Sequence, residues 1–261
     1  MGPMLSMILK QPQRAEERGH GLRSVYTAAA PKDVLAAFAA RFQVDVIEGY
    51  GMTETSYGCI NPRQAPRAGS IGKPRQHPTA AISNEIKIAD NSGRTLPVGE
   101  TGEIMIKNGA TTLEYWNNPE ATSAALRDGW LRTGDLGYCD ADGYFFIVGR
   151  IKEMIRRKGV NIAPREIELE LARLPGVEEA AVVGLPNPLG EEMVIAVVTL
   201  APGAPAEDVE RRIAAELAGV LSREKLPDEI VVAPELPKTP TQRVEKAKVR
   251  EWLQRRAKNA Y

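Results

Sequence analysis

The sequence predicts an α/β chain: an N-terminal α/β lobe with a small antiparallel β-subdomain over residues 1–150, then a small α+β domain over residues 151–261. Three observations carry this. A strand pattern, a helical face and a second strand pattern follow one another between Leu22 and Ile47, the order of an α/β unit. Isoleucines then recur two apart, at Ile86 and Ile88 and again at Ile104 and Ile106, the alternation of half-buried strands. Beyond Gly149-Arg150-Ile151-Lys152 the pattern restarts with helices and strands of its own, over a length that suits a small separate domain.

Taken in order, the chain opens on an apolar stretch, Leu5 to Leu9, and turns polar. Leu22 to Tyr26 has strand character, and Ala28-Ala29-Ala30-Pro31 turns into a helix. In that helix Val34, Leu35, Phe38 and Phe42 share one face. Val44 to Ile47 reads as a buried strand ending in the Gly-flanked turn Gly49-Tyr50-Gly51-Met52-Thr53-Glu54-Thr55. A Pro/Gly-rich loop from Asn61 to Pro78 leads to the isoleucine strands, whose turns are Asn91-Ser92-Gly93 and Pro97-Val98-Gly99. Ala121 to Leu126 suggests a short helix. Gly129 to Asp135 reads as a turn with an exposed carboxylate, and Asp140-Ala141-Asp142-Gly143 as a hairpin turn feeding the strand Tyr144 to Val148. The second part is expected to hold a helix started by Pro164, with Ile167, Leu171 and Leu174 apolar. Strands at Ala180 to Val183 and Val194 to Leu200 follow, then a helix from Ala206 to Leu221 with Val209, Ile213 and Leu217 on one face. A strand at Ile230 to Val232 and a basic terminal helix close the chain.

Composition excludes several function classes. Lysine plus arginine equals aspartate plus glutamate, 34 each, and aromatics are 5%. No net field or basic–aromatic surface therefore favours nucleic acid. Cys59 and Cys139 are isolated, and His20 and His77 lie far apart, which is too sparse for a structural zinc site. Two cysteines make no disulfide framework, so a reducing, cytoplasmic setting is expected. No apolar run approaches a membrane span. Met1 to Ser6 fits the loose myristoylation pattern, yet the segment reads better as an internal element.

The strongest chemical stretch is the turn after the second strand. Glycine lets backbone approach a ligand closely, and ligands of open α/β sheets gather beyond strand carboxyl ends. Tyr50 could stack on a base, Thr53 could bond a phosphate oxygen, and Glu54 could hold Mg²⁺ through oxygen; a plain solvated turn is the alternative. Asp135 in Thr-Gly-Asp could accept both ribose hydroxyls or simply cap backbone N–H groups. Arg150 could reach the same ribose or a phosphate, or form a surface ion pair. The run from Arg150 to Lys158 and Gly159 suits a polyphosphate or a solvated face, and Lys238 to Lys246 forms a second basic loop. Neither GxxxxGK[ST], GxGxxG nor GxSxG occurs.

The order of the motifs is more specific than any one of them. Gly-Tyr-Gly-Met-Thr-Glu, Gly-Ser-Ile-Gly-Lys-Pro, Gly-Glu-Thr-Gly-Glu-Ile, Tyr-Trp-Asn-Asn-Pro-Glu-Ala-Thr and Gly-Trp-Leu-Arg-Thr-Gly-Asp follow in sequence. Gly-Tyr-Phe-Phe-Ile-Val-Gly-Arg-Ile-Lys-Glu-Met-Ile, Lys-Gly-Val-Asn-Ile-Ala-Pro-Arg-Glu-Ile-Glu and Leu-Pro-Lys-Thr-Pro-Thr complete the series. From about Leu22 onward the chain resembles the adenylate-forming (AMP-binding) superfamily. Within it the motifs look most like acyl-CoA synthetases, of the crotonobetaine/carnitine-CoA ligase branch.

That resemblance implies ATP, a carboxylic acid and coenzyme A as substrates, with Mg²⁺. Tyr50 would stack on adenine with Gly49, Gly51 and Met52 beside it; Thr53 would contact the α-phosphate and Glu54 the metal. Asp135 would hold the ribose, assisted by Arg150. Lys152 would be the hinge of the C-terminal domain, and Lys158 and Gly159 would line the CoA tunnel. The family's catalytic lysine falls on Arg243, after Gln242, with Lys246 as its substitute if the loop shifts. The family's phosphate loop and much of its N-terminal domain have no counterpart here, so a truncated synthetase is expected. The alternative is a non-catalytic fragment that pairs with a separate N-terminal half and exposes apolar surface on its sheet. Ala28 to Ala30 would line part of the acyl pocket or form a simple helix-entry turn.

Overall fold

The computed structural model describes residues 2–28, 32–76, 83–187, 190–240 and 243–258. The chain is mixed α/β and divides into two compact units, Met1–Val148 and Gly149–Tyr261. In the first unit, α1 (Gly2–Leu9), β1 (Ser24–Thr27), α2 (Lys32–Phe42) and β2 (Asp45–Tyr50) come first. β3 (Cys59–Ile60) and β4 (Lys73–Pro74) complete a four-stranded sheet of order β1-β2-β3-β4. β1 and β2 are parallel, Ser24 opposite Asp45 through Thr27 opposite Glu48, as the strand–helix–strand pattern requires. Leu5, Phe38 and Val44 form the core here, with Val34, Leu35 and Phe42 packed against it. Arg41 fixes the helices to one another: its guanidinium donates to Glu17 at 2.6 Å and to the carbonyl of Leu9 at 2.8 Å.

The second sheet comprises β5 (Asn84–Ala89), β6 (Gly102–Asn108), β7 (Leu126–Arg127), β8 (Trp130–Cys139) and β9 (Phe145–Arg150). Its order is β5-β6-β8-β7, with β9 also on β8, and α3 (Pro119–Ala125) precedes β7. Ile88, Ile104 and Ile106, the expected alternating residues, are buried with Cys59, Ile71 and Phe145. Asn118 caps α3 by accepting from the Ala121 N–H, and Pro119 follows at the first helical position.

The loop Gly-Ser-Ile-Gly-Lys-Pro proves to be a packing device. Gly72 bridges to Phe145, and the Ile71 N–H donates to the Phe145 carbonyl at 2.8 Å. Gly72 has φ +90°, and a Cβ on it would lie 2.1 Å from the carbonyl carbon and oxygen of Ile60. Only glycine lets the strands approach this closely.

The tip of the β5–β6 connection carries a pH-dependent contact. Asp90 accepts from the Ser92 hydroxyl and N–H and from the Arg94 N–H and guanidinium. Chiefly through the Ser92 hydroxyl, its carboxyl is held down at about 2, against an ordinary 3.8. A depressed folded value stabilises above the unfolded one and is lost as pH falls through the folded one. Amide exchange of Ser92 and Arg94 is therefore expected to hold steady above pH 4 and rise, relative to its ordinary pH trend, between pH 4 and 2; an Asp90→Asn variant should lack that step.

In the second unit, β10 (Ile155–Arg157) and β11 (Val160–Ile162) form a hairpin, and α4 (Pro164–Leu171) follows. β12 (Val177–Pro186), β13 (Glu192–Leu200), α5 (Val209–Ala218), β14 (Glu229–Val232) and α6 (Lys246–Lys258) complete it. β13 is central, antiparallel to β12 and parallel to β14. Its run Val194 to Val198 is buried on both faces. Val194, Ala196 and Val198 meet Ile167 and Leu171 of α4 and Ile213 and Leu217 of α5. Ile195 and Val197 belong to the other face, with Val249 and Leu253 of α6. That is the period-two alternation of a strand covered twice. The helix expected over 206–221 is shorter, and Leu174 lies beyond the end of α4. Among the described residues no helix is long and apolar enough to cross a membrane.

Candidate functional site

β2 runs three residues further than the apolar pattern indicated, so Tyr50 is its last residue and Gly51 opens the turn. The turn is tight: the Thr55 and Ser56 N–H groups both donate to the Met52 carbonyl. Thr53 is thereby exposed and Glu54 half-buried. Asn108 of β6 anchors the far side, donating its amide to the Tyr57 carbonyl at 3.0 Å. Glu54 is held twice. Its carbonyl accepts from the Thr112 N–H at 2.7 Å, and its carboxylate accepts from the Tyr115 hydroxyl at 2.9 Å. Burial, then the bond to Glu54, raises the Tyr115 phenol above its ordinary value, so it remains a donor.

Asp135 departs from expectation. The stretch read as an exposed turn is the middle of β8, and Asp135 is 5% exposed. The cause is a bulge. β6 pairs Met105 with Arg132 and Glu103 with Leu136, leaving Thr133, Gly134 and Asp135 to bow out of the ladder. Gly134 takes φ +71° at the bend. The Thr133 hydroxyl donates to the Ile104 carbonyl at 2.7 Å and accepts from the Asp135 N–H at 3.0 Å. Behind it, the buried Glu103 carboxylate accepts from the Gly134 N–H at 2.9 Å and from Arg132 at 2.8 Å.

The bulge brings the two principal candidates together. The Tyr50 hydroxyl donates to Asp135 Oδ2 at 2.6 Å, a short charge-assisted bond across 85 residues of sequence. Burial first, and the Asp135 charge second, push the Tyr50 phenol far up. It stays protonated, and its ring is fixed where the strands of both sheets meet. The ring expected to stack on a base and the carboxylate expected to accept a ribose thus stand beside one another at the carboxyl end of a parallel strand pair.

The remaining candidates belong to the second unit. Arg150 ends β9, and Lys152 lies exposed in a short 3-10 turn, Ile151–Glu153. Lys158 and Gly159, with φ +49° and +77°, are the two-residue turn of the β10–β11 hairpin, which demands positive φ at both positions. Arg243 is exposed; its carbonyl accepts from the Thr239 N–H at 2.8 Å. Lys246 is engaged elsewhere: its ammonium pairs with Glu153 at 2.6 Å and Glu168 at 2.8 Å. Gln242, Ala29 and Ala30 lie outside the described residues, as does His77. A cavity of about 560 Å³ in this unit, lined by Leu174, Leu200, Pro205, Val209 and Ile213, holds none of the candidates.

Sequence reasoning passed over Glu103, Thr133 and Tyr115. Each stands within a quoted motif, but no local signal says which residue of a motif turns toward a distant partner.

Residues 1–116 match the profile described as AMP-binding enzyme, and residues 166–243 that of the AMP-binding enzyme C-terminal domain. The chain belongs to the AMP-binding enzyme family. The chain is 38% identical to sulfoacetate–CoA ligase of Cupriavidus necator, over 94% of its own length and 47% of that protein. It is 40% identical to crotonobetaine/carnitine–CoA ligase of Shigella sonnei, over 77% and 39% respectively. Its fold is similar to ATP-bound MatB from Rhodopseudomonas palustris with a TM-score of 0.84, at 33% identity, over 96% of this chain and 49% of that one. The chain spans about half the length of these relatives.

Proposed function

We propose that this chain carries the adenosine-binding part of an AMP-forming acyl-CoA synthetase. In the full reaction a carboxylate attacks the α-phosphorus of ATP, the bond to pyrophosphate breaks, and an acyl-adenylate forms. The thiolate of coenzyme A then attacks the acyl carbon, AMP leaves, and a thioester results. The observation that supports this reading best is the 2.6 Å bond between Tyr50 and Asp135: ring and carboxylate are spaced for one nucleoside.

Tyr50, with Gly49, Gly51 and Met52, would bind adenine, and Asp135, aided by Arg150, the ribose. Thr53 would meet the α-phosphate. Glu54 would hold Mg²⁺. A single half-buried carboxylate such as Glu54 suits a magnesium ion that is bound by one or two carboxylates plus phosphates and water. Such an ion neutralises phosphate charge. Lys152 would serve as the hinge, Lys158 and Gly159 would border the pantetheine arm, and Arg243 would stand at the family's lysine position. Lys246, already bound to two carboxylates, is the weaker choice for that role.

A second reading, a non-catalytic fragment that requires a separate N-terminal half, has its own support. β1 lies at the sheet edge among the described residues, and Tyr26 on it is 64% exposed. Leu22, Met4 and Met7 are exposed as well, apolar side chains that another polypeptide would cover. One experiment separates the two: pyrophosphate release with a panel of carboxylates, for this chain alone and with an N-terminal half of a relative supplied. Release by the chain alone supports the synthetase reading, release only by the pair supports the fragment, and no AMP binding by either defeats both.

A further inference from the structure

We infer that Glu103 is the positioning residue of the nucleotide site: it sets the Thr133-Gly134-Asp135 bulge so that Asp135 presents its carboxylate to a ribose. The inference rests on the proposed ribose role of Asp135 and extends it to a residue that itself touches no nucleotide.

Glu103 is 5% exposed, and burying a carboxylate is unfavourable unless each oxygen is satisfied. Both are, and by different partners. Oε2 accepts from Arg132 through Nε at 2.8 Å and lies 2.7 Å from Nη2. Oε1 accepts from the Gly134 N–H at 2.9 Å. That amide belongs to the Thr133–Gly134 peptide, one peptide ahead of the one that joins Gly134 to Asp135, and as part of a bulge it has left the strand ladder. The Thr133 hydroxyl holds the other side of the same bend through the Ile104 carbonyl and the Asp135 N–H. The bulge is therefore gripped from β6 at two adjacent residues, Glu103 and Ile104. Gly134, at φ +71° and with open space where a Cβ would stand, adopts this bend without strain. The carboxylate behind it then selects one conformation from the several that glycine allows.

A purely structural ion pair and a positioning role make opposite demands on the side chain. If Glu103 serves only to pair with Arg132, charge is what matters, and aspartate should replace it better than glutamine. If its task is to receive the Gly134 N–H, reach is what matters. Glutamine keeps an oxygen at the same distance while Arg132, partly exposed, turns to water. Aspartate, one methylene shorter, withdraws from the amide.

The test is calorimetric titration of the full chain and its E103Q and E103D variants with AMP and with 2′,3′-dideoxy-AMP, with thermal melting as the control for folding. The wild type is expected to prefer AMP on the order of tenfold or more, as charge-assisted hydroxyl bonds warrant. E103Q should keep most of that preference. E103D should bind AMP nearly as weakly as the dideoxy compound, with its dideoxy affinity little changed. A preference that survives in E103D, or is lost in E103Q and kept in E103D, overturns the role of Glu103 alone. A wild type that does not distinguish the two nucleotides overturns the ribose site and this inference with it.

Discussion

Replacement of Asp135 by alanine is expected to weaken AMP binding by about 1.5–3 kcal/mol, on the order of ten- to a hundredfold. Two hydroxyl donors of a ribose would lose a charged acceptor in a buried setting, where such bonds are strongest. The substitution also takes the 2.6 Å acceptor from the Tyr50 hydroxyl, leaving the ring freer to move from the position proposed for stacking. Asp135→Asn separates these effects. It keeps an acceptor for Tyr50 but removes the charge, so its affinity should fall between the other two. Calorimetry with AMP reads the affinities, and circular dichroism shows whether the fold survives. Undiminished binding by the alanine variant would make Asp135 a structural partner of Tyr50 and nothing more.

The largest effect on stability is expected at Gly72. Alanine there meets two penalties: a left-handed backbone, worth about 1–3 kcal/mol, and overpacking against the Ile60 carbonyl, worth roughly as much again. Together they predict a loss of about 3–5 kcal/mol in the first unit. Gly93 is the control. Its φ of +87° is nearly that of Gly72, yet nothing lies within 4 Å of its missing Cβ, so Gly93→Ala carries the backbone penalty alone. Urea unfolding followed by intrinsic fluorescence reads both variants, since Trp116 and Trp130 fall in the first unit and Trp252 in the second. Equal effects at the two glycines would show that the Gly72 contact relaxes.

What could be read from the sequence was whatever repeats at short range. The isoleucine alternation gave β5 and β6, the face of Val34, Leu35 and Phe38 gave α2, and Pro164 gave the start of α4. Boundaries slipped where the deciding contact was remote. β2 extends through Gly49 and Tyr50 because β3 pairs with them, and two glycines about a tyrosine gave no hint of a strand. Asp135 was assigned to an exposed turn because Thr-Gly-Asp has turn composition. It is buried because Glu103 and Ile104, some 30 residues upstream, hold a bulge in place. Among the candidates, Tyr50 and Asp135 were singled out through motif order, and the fold brings the two into contact. Tyr115 was not, because the Glu54 carboxylate it serves lies 61 residues away.

Lys246 reaches carboxylates from two separate stretches, Glu153 and Glu168, while Lys238 is moored to Glu179. Arg243 stands between those two fastenings, like a sign hung from a pair of posts. A residue mounted this way can change identity without slackening its support.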